Sequence, residues 1–238
     1  MSSRTALITG ATKGLGRETC MAFAHAGYTV VATYKADVGA AARLQHELAR
    51  QGATFRIVRS DVADGNANDL WSCPEIIHAR SLVLVNNACS GFQPEPMHRV
   101  SWREVDSQLN VGLKGAWLSC QAVLKQMVRA REGVIVNVLT SALDGIPPKG
   151  FSAYVIAKQA LRGLTLALAS EYSSRGIRIF SVSPGYMDTG LTQAWDSRLR
   201  DAIATSDGRL SSTLEAGKRI VELVESAATH GGGEDYPI

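Results

Sequence analysis

The chain has 238 residues, 45% of them hydrophobic, enough for one domain with a substantial core. Its 25 basic and 22 acidic side chains leave a formal net charge of +3, a near-balance that argues against nucleic acid or a membrane surface as the main partner. Cys20, Cys73, Cys89 and Cys120 form no C-x-x-C pair and have no metal-ligand spacing with histidine, so they read as free thiols with no metal site. Met1-Ser2-Ser3-Arg4 runs straight into an apolar strand without a signal-peptide core, and no stretch approaches the roughly 20 apolar residues that span a bilayer. A cytoplasmic protein is expected.

Short apolar runs alternate with longer segments of helical period. The runs are Ala6-Leu7-Ile8, Thr29 to Thr33, Phe55 to Val58, Leu82 to Val85, Val134 to Leu139 and Ile177 to Val182. They are near-continuously apolar, as parallel strands covered on both faces are. Leu15, Thr19, Ala22, Phe23 and Ala26 mark the first helix, which ends at Gly27. The crossover from Asp64 to Ala79 contains Gly65, Asn66, Asn68 and Pro74, so a short or irregular helix is expected there. Two long helices follow, Ser101 to Ala130 and Ser152 to Ser173. The fold class is therefore α/β, a single doubly wound parallel sheet with helices on both faces, right-handed crossovers, and one domain over residues 1–238.

Thr9-Gly10-Ala11-Thr12-Lys13-Gly14-Leu15-Gly16 lies between the first strand and the first helix. Three glycines alone fit any structural turn. Placed after a strand and opening an amphipathic helix, they let free N–H groups and the helix dipole face a pyrophosphate. The spacing is G-x-x-x-G-x-G, and it makes the chain a dinucleotide-binding, Rossmann-type candidate.

Tyr154 and Lys158 are four residues apart on a helical segment and share one face. A free tyrosine, with a pKa near about 10, is a poor proton donor or acceptor at neutral pH; an adjacent ammonium lowers that value. Such a pair alone fits an exposed helix as well. Ser141, thirteen residues before Tyr154 and at the carboxyl end of a parallel strand, adds weight to a site.

Taken together with Asp61-Val62, Asn86-Asn87-Ala88, Asn110, Pro184-Gly185 and Thr189, these residues resemble the short-chain dehydrogenase/reductase family, in its order and spacing over nearly the whole chain. The resemblance implies that Tyr154 protonates a substrate carbonyl and that Ser141 hydrogen-bonds the same oxygen. It implies that Lys158 holds the nicotinamide ribose and tunes Tyr154, and that Asn110 holds a water of the proton relay, unless Asn110 is simply an interior helix asparagine. The implied cofactor-binding set is Gly10, Thr12, Lys13, Gly14, Leu15, Gly16, Tyr34, Lys35, Asp61, Val62, Asn87, Ala88, Tyr154, Lys158, Pro184, Gly185 and Thr189, with Thr189 near the carboxamide. Two departures stand out: Cys89 follows Asn-Asn-Ala where the family usually has glycine, and the chain ends at Tyr236-Pro237-Ile238, where the family runs on through its last strand into a Gly-rich tail.

NAD-specific sites place an acid after the second strand. Here Tyr34 and Lys35 stand at that point, and Lys13 precedes the second glycine of the turn. No carboxylate is read there, and two lysines favour a 2′-phosphate, so NADP(H) is expected unless both are solvated surface residues. The pocket is expected to be lined by Cys89, Ser90, Phe92, Leu143, Ile146, Phe151, Tyr186 and Trp195, with Ile146-Pro147-Pro148-Lys149-Gly150 as one wall and Leu191 to Leu210 as a polar, mobile lid.

Arg131-Glu132-Gly133, Ser174-Arg175-Gly176 and Gly208-Arg209-Leu210 resemble the bacterial 3-oxoacyl-carrier-protein reductases of the family. That implies a 3-oxoacyl thioester substrate and an acidic carrier protein docked by Arg131 and Arg175. A reductase of a free small ketone, quinone or secondary-metabolite intermediate is the alternative, and a non-catalytic NADP-sensing protein a remote one. The family's pairing through its two long helices implies a homodimer or homotetramer, and the apolar run Leu161, Leu164, Leu166 and Leu168 is wider than one helix face needs.

Overall fold

Strands rich in valine and isoleucine send successive side chains to opposite faces, and here each face is capped by helices. A computed structural model of the chain describes residues 4–65, 68–193, 195–203, 210–229 and 232–238. In chain order it comprises β1 (Arg4–Ile8), α1 (Gly14–His25), β2 (Thr29–Tyr34), α2 (Val38–Arg50), β3 (Phe55–Arg59), α3 (Asn68–Trp71), α4 (Pro74–Ile77), β4 (Ser81–Asn86) and α5 (Trp102–Leu109). A π-helical turn (Asn110–Lys114) leads into α6 (Gly115–Ala130), followed by β5 (Gly133–Val138), α7 (Ser152–Tyr172), β6 (Ile177–Ser183), α8 (Gly190–Gln193), α9 (Ser197–Ile203), α10 (Thr213–Glu225) and β7 (Asp235–Pro237).

The strands form one parallel sheet in the order β3-β2-β1-β4-β5-β6-β7. Alternation along the strands divides the core in two. Ala6, Ile8, Val83 and Val85 join Phe23, Leu44 and Ile220 from α1, α2 and α10. Leu7, Leu82 and Leu84 point the other way, to Met127 and Leu161 of α6 and α7. Full burial of each large apolar side chain is worth about 1.5–3 kcal/mol, so both faces hold the sheet and neither is left to solvent.

Local signals explain most boundaries. Gly27 takes φ +79° just past α1, and Asp37 caps α2 by accepting from the Ala40 N–H at 2.8 Å. Ser101 and Glu104 form both halves of a capping box at α5. The crossover with Pro74 contains two four-residue helices, as its composition predicts.

Two features differ from the sequence reading. The segment Ser101 to Ala130 is divided by a single π turn at Asn110–Lys114. The sheet also has a seventh strand where only six runs were read, at the chain's last residues. β7 is short and polar, and Asp235 accepts hydrogen bonds from Ser181 Oγ at 3.0 Å and Ser183 Oγ at 2.8 Å, so apolar patterning does not reveal it.

Candidate active site

The sheet order reverses between β1 and β4, and the glycine turn lies at the carboxyl end of β1 beside Asn87 and Ala88. Thr9 Oγ1 accepts the N–H groups of Asn87 and Ala88, each at 3.1 Å, and Asn87 Nδ2 donates to the Thr9 and Gly10 carbonyls at 2.9 and 3.0 Å. The turn is thus tied to the Asn86-Asn87-Ala88 segment. Gly10 has φ +61°, and a Cβ there would meet Ala88 Cα at 2.9 Å. At Gly16 a Cβ would fall 2.4 Å from the Gly10 carbonyl oxygen, so this glycine is what lets α1 approach the turn. A Cβ on Gly14 would meet Thr189 Cγ2 at 3.1 Å, which brings the Pro184-Gly185 loop against the turn. Lys13 is the N-cap of α1 and no side chain caps that end. This side-chain-free cradle, with Thr12, Leu15 and the first N–H groups of α1, fits a dinucleotide pyrophosphate.

Lys158 reaches the carboxyl end of β5, Ser141 follows it and Tyr154 lies beside Lys158 on α7, while Asn110 sits in the π turn before α6. Lys158 is 4% exposed, and its Nζ donates to the Val138 carbonyl at 2.6 Å and lies 5.7 Å from the Tyr154 ring centroid. Burial pulls the Lys158 pKa down, with Cys89 opposing it. Ser141 opens a 3₁₀ turn and donates its N–H to the Pro184 carbonyl at 3.0 Å, joining this strand end to the Pro184-Gly185 loop. Asn110 begins the π turn, and its side-chain amide donates to Asp106 Oδ2 at 2.7 Å.

The expected lowering of the Tyr154 pKa by Lys158 does not hold in this arrangement. Burial pushes it above the ordinary phenol value, Cys89 adds to the rise, and a hydrogen bond shared with Thr140 opposes it. Thr140, which also accepts from the Ala142 N–H at 3.2 Å, escaped the sequence reading because it precedes Ser141 with no periodicity to mark it.

At the adenosine end the sequence reading needs correction, because a carboxylate does stand in this corner. Lys13 is ion-paired with Asp37, whose pKa is held below the usual carboxylate range chiefly by Lys13. Asp37 lies three residues past Tyr34 and opens α2, where an aspartate is a cap signal. Lys35 Nζ lies 2.7 Å from Asp61 Oδ2. Burial pushes the Asp61 pKa up, but the hydrogen bonds from Lys35 and the Ala63 N–H outweigh it, and the net shift is downward. Val62 rests on α6 at Gly115, where a Cβ would meet Val62 Cγ2 at 2.7 Å. Tyr34, half-buried, ends β2.

A cavity of about 390 Å³ adjoins Tyr154, lined by Phe92, Ser107, Gln108, Gly150, Ala153 and Leu191 among others. The α5 residues were missed, since polar side chains on a helix carry no sign of a pocket. Phe151, Tyr154 and Trp195 form a buried aromatic cluster joined by Phe92 and Tyr186. Of the expected wall residues Phe92 lines this cavity; Cys89 and Ser90 do not, Phe151, Tyr186 and Trp195 belong to the aromatic cluster, Ile146 is 97% exposed, and Leu143 packs on the core facing α6 and α7. The expected lid is described as α8 and α9, with Leu191, Trp195, Leu199 and Ile203 packed against the aromatic cluster; residues 194 and 204–209, including Gly208 and Arg209, lie outside the described residues. Arg131 and Arg175 precede β5 and β6, at the end of the sheet opposite Tyr154. The two loops touch, since a Cβ on Gly176 would meet the Arg131 carbonyl oxygen at 2.2 Å. Among the described residues no helix is long and apolar enough to cross a membrane.

A reversed-order parallel sheet, a glycine cradle and a Tyr-x-x-x-Lys pair at its strand ends define a nucleotide-binding oxidoreductase fold. The short chain dehydrogenase family model matches residues 4–200, and the chain belongs to that family. It is 31% identical over 204 residues to 3-oxoacyl-acyl-carrier-protein reductase FabG of Staphylococcus aureus, covering 85% of this chain and 82% of that protein. Oxidoreductase UcpA of Salmonella typhimurium is 30% identical over 195 residues, covering 82% and 73%. A structure assigned provisionally as an NAD(P)-dependent gluconate 5-dehydrogenase from Beutenbergia cavernae, with NADP bound, superposes with a TM-score of 0.88 at 30% identity, covering 100% of this chain and 95% of that one. A short-chain dehydrogenase/reductase variant from Serratia marcescens has a TM-score of 0.87 at 23% identity, covering 100% and 96%, and supports the fold alone.

Proposed function

We propose that the protein reduces a ketone to a secondary alcohol with NADPH, with Tyr154 as proton donor. The observation that carries this is the buried Tyr154 beside Lys158, whose ammonium is held at the carboxyl end of β5, on the same end of the sheet as the glycine cradle. When bound, the nicotinamide supplies the hydride. Tyr154 gives the carbonyl oxygen its proton. Ser141 donates to the same oxygen as charge develops on it. Lys158 holds the ribose hydroxyls, and Asn110 supports the relay behind Lys158. The cradle from Gly10 to Gly16 would hold the pyrophosphate, and Thr189 would close the carboxamide end. Lys13 and Lys35 would hold the 2′-phosphate.

Two substrate classes compete. The named activity of the FabG relatives supports a carrier-bound 3-oxoacyl thioester. The enclosed aromatic cluster supports a free ketone. So does the placement of Arg131 and Arg175 at the far end of the sheet, where a docked carrier on the same chain is remote from Tyr154. We favour the free ketone, with carrier docking at those arginines left to the other reading. The test is cofactor consumption by the purified protein on acetoacetyl thioester and on small free diketones. NADPH oxidation at least about tenfold faster than NADH oxidation is expected from the added charge-assisted contacts. Failure to consume either cofactor with any of these carbonyls overturns the proposal.

A further inference from the structure

Phe92 both lines the cavity and covers Tyr154, while Tyr154 itself is no part of the cavity wall. The Phe92 and Tyr154 rings are nearly parallel, with centroids 4.8 Å apart and planes at 17°. Phe151 meets Phe92 edge-on at 5.1 Å, and Trp195 lies 5.2 Å from Phe92. The Phe92 ring thus covers one face of the Tyr154 ring on the cavity side.

The backbone that carries Phe92 is fixed. Gln108 Nε2 donates to the Ser90 and Gly91 carbonyls at 3.2 Å each, and Trp195 Nε1 donates to the Phe92 carbonyl at 3.1 Å. The Glu95 N–H donates to the Gly150 carbonyl at 3.3 Å. Gly150 has φ +87°, and a Cβ there would meet Glu95 N at 2.7 Å, so the far end of the segment is clamped as well. With the backbone held at four hydrogen bonds, rotation of the ring is the movement left. The cavity of about 390 Å³ that Phe92 lines offers space for that rotation.

We propose that the Phe92–Tyr154 stack is the mouth of a flat slot, and that the protein takes ketones whose carbonyl is carried on a planar apolar group, aryl or conjugated cyclic. This deepens the ketone-reductase reading and rests on it. The planar group enters between the rings with its carbonyl at the hydroxyl rim of Tyr154. Phe92 turns about its side-chain bonds toward the cavity and packs its ring on the substrate, which regains aromatic contacts that the parting rings lose. An alkyl chain regains only buried area. Each aromatic pair adds a preference of about two- to tenfold beyond area, so Phe92 becomes a specificity-determining residue.

The test compares kcat/KM, with NADPH, for 1-phenyl-1,2-propanedione and for acetoacetyl thioester in wild type, Phe92→Tyr, Phe92→Leu and Phe92→Ala. Wild type is expected to prefer the aryl dione by about tenfold, Phe92→Tyr to keep that ratio, and Phe92→Leu and Phe92→Ala to lower it by at least about fivefold. Should the alanine variant fail to fold, the Tyr-against-Leu contrast reads the same quantity, because leucine keeps apolar volume without a ring. A ratio indifferent to residue 92, or a wild type that prefers the thioester, overturns the aromatic slot and leaves the reductase reading standing. Consumption of neither substrate overturns both.

Discussion

Lys13 and Lys35 are the residues on which cofactor choice turns, and each already has an anion at hand. Lys13 is paired with Asp37 and Lys35 with Asp61, at well-exposed positions where solvent and salt weaken ion pairs. A 2′-phosphate, carrying about −1.5 to −2 charges if it behaves like other phosphomonoesters, competes well with a single carboxylate for either lysine. The same carboxylates repel it, so the preference is a difference between two opposed effects. Lys35→Glu should erase or reverse the NADPH preference. Asp37→Asn should enlarge it about threefold or more, and because asparagine caps a helix as well as aspartate does, α2 should be undisturbed. Steady-state kcat/KM for both cofactors, at low and high salt, checks this. Equal wild-type efficiency with the two cofactors at low salt would mean that neither lysine meets the phosphate.

Helix faces decide the assembly question. Of the leucines that suggested an extra apolar face on α7, Leu161, Leu164 and Leu168 are buried in the chain's own core, and only Leu166 is exposed. The exposed large apolar residues of these helices are instead Trp117 on α6 and Ile156 and Leu166 on α7. We infer a homodimer, or a tetramer of such dimers, paired through these helices. Light scattering at micromolar concentration should give a dimer or larger species and a smaller one for Trp117→Arg; a wild-type monomer would contradict the inference. The same elements mark the limits of the sequence. Strands and glycine turn were legible because apolar runs and φ-permissive residues leave local signs. The π turn is a single turn inside a helical stretch, β7 is three residues long, too short for an apolar run, and Phe92 meets Tyr154 across sixty-two positions with no local pattern between them. For the same reason spacing to Lys158 pointed to a lowered Tyr154 pKa, whereas burial raises it.

Across the whole molecule, one end of the sheet gathers the chemistry. The carboxyl ends of β1, β4, β5 and β6 carry the glycine cradle, Asn87, Ser141 and the Pro184-Gly185 loop, and the Gly185 N–H donates to the Ile238 carbonyl at 3.1 Å, which brings the end of the chain to the same place. Ligands of open parallel sheets bind where strand order reverses, here between β1 and β4. Arg131 and Arg175 lie at the other end, so distance within one chain separates them from the chemistry. Everything proposed for the site depends on Tyr154 handling the proton, and Tyr154→Phe removes one oxygen while keeping the ring that Phe92 and Phe151 contact. Single-turnover and steady-state rates with NADPH and a reducible ketone should fall by about 10²–10⁴-fold in this variant, with NADPH affinity unchanged within about twofold by fluorescence titration. Retention of a tenth of the wild-type rate or more would contradict Tyr154 as the proton donor.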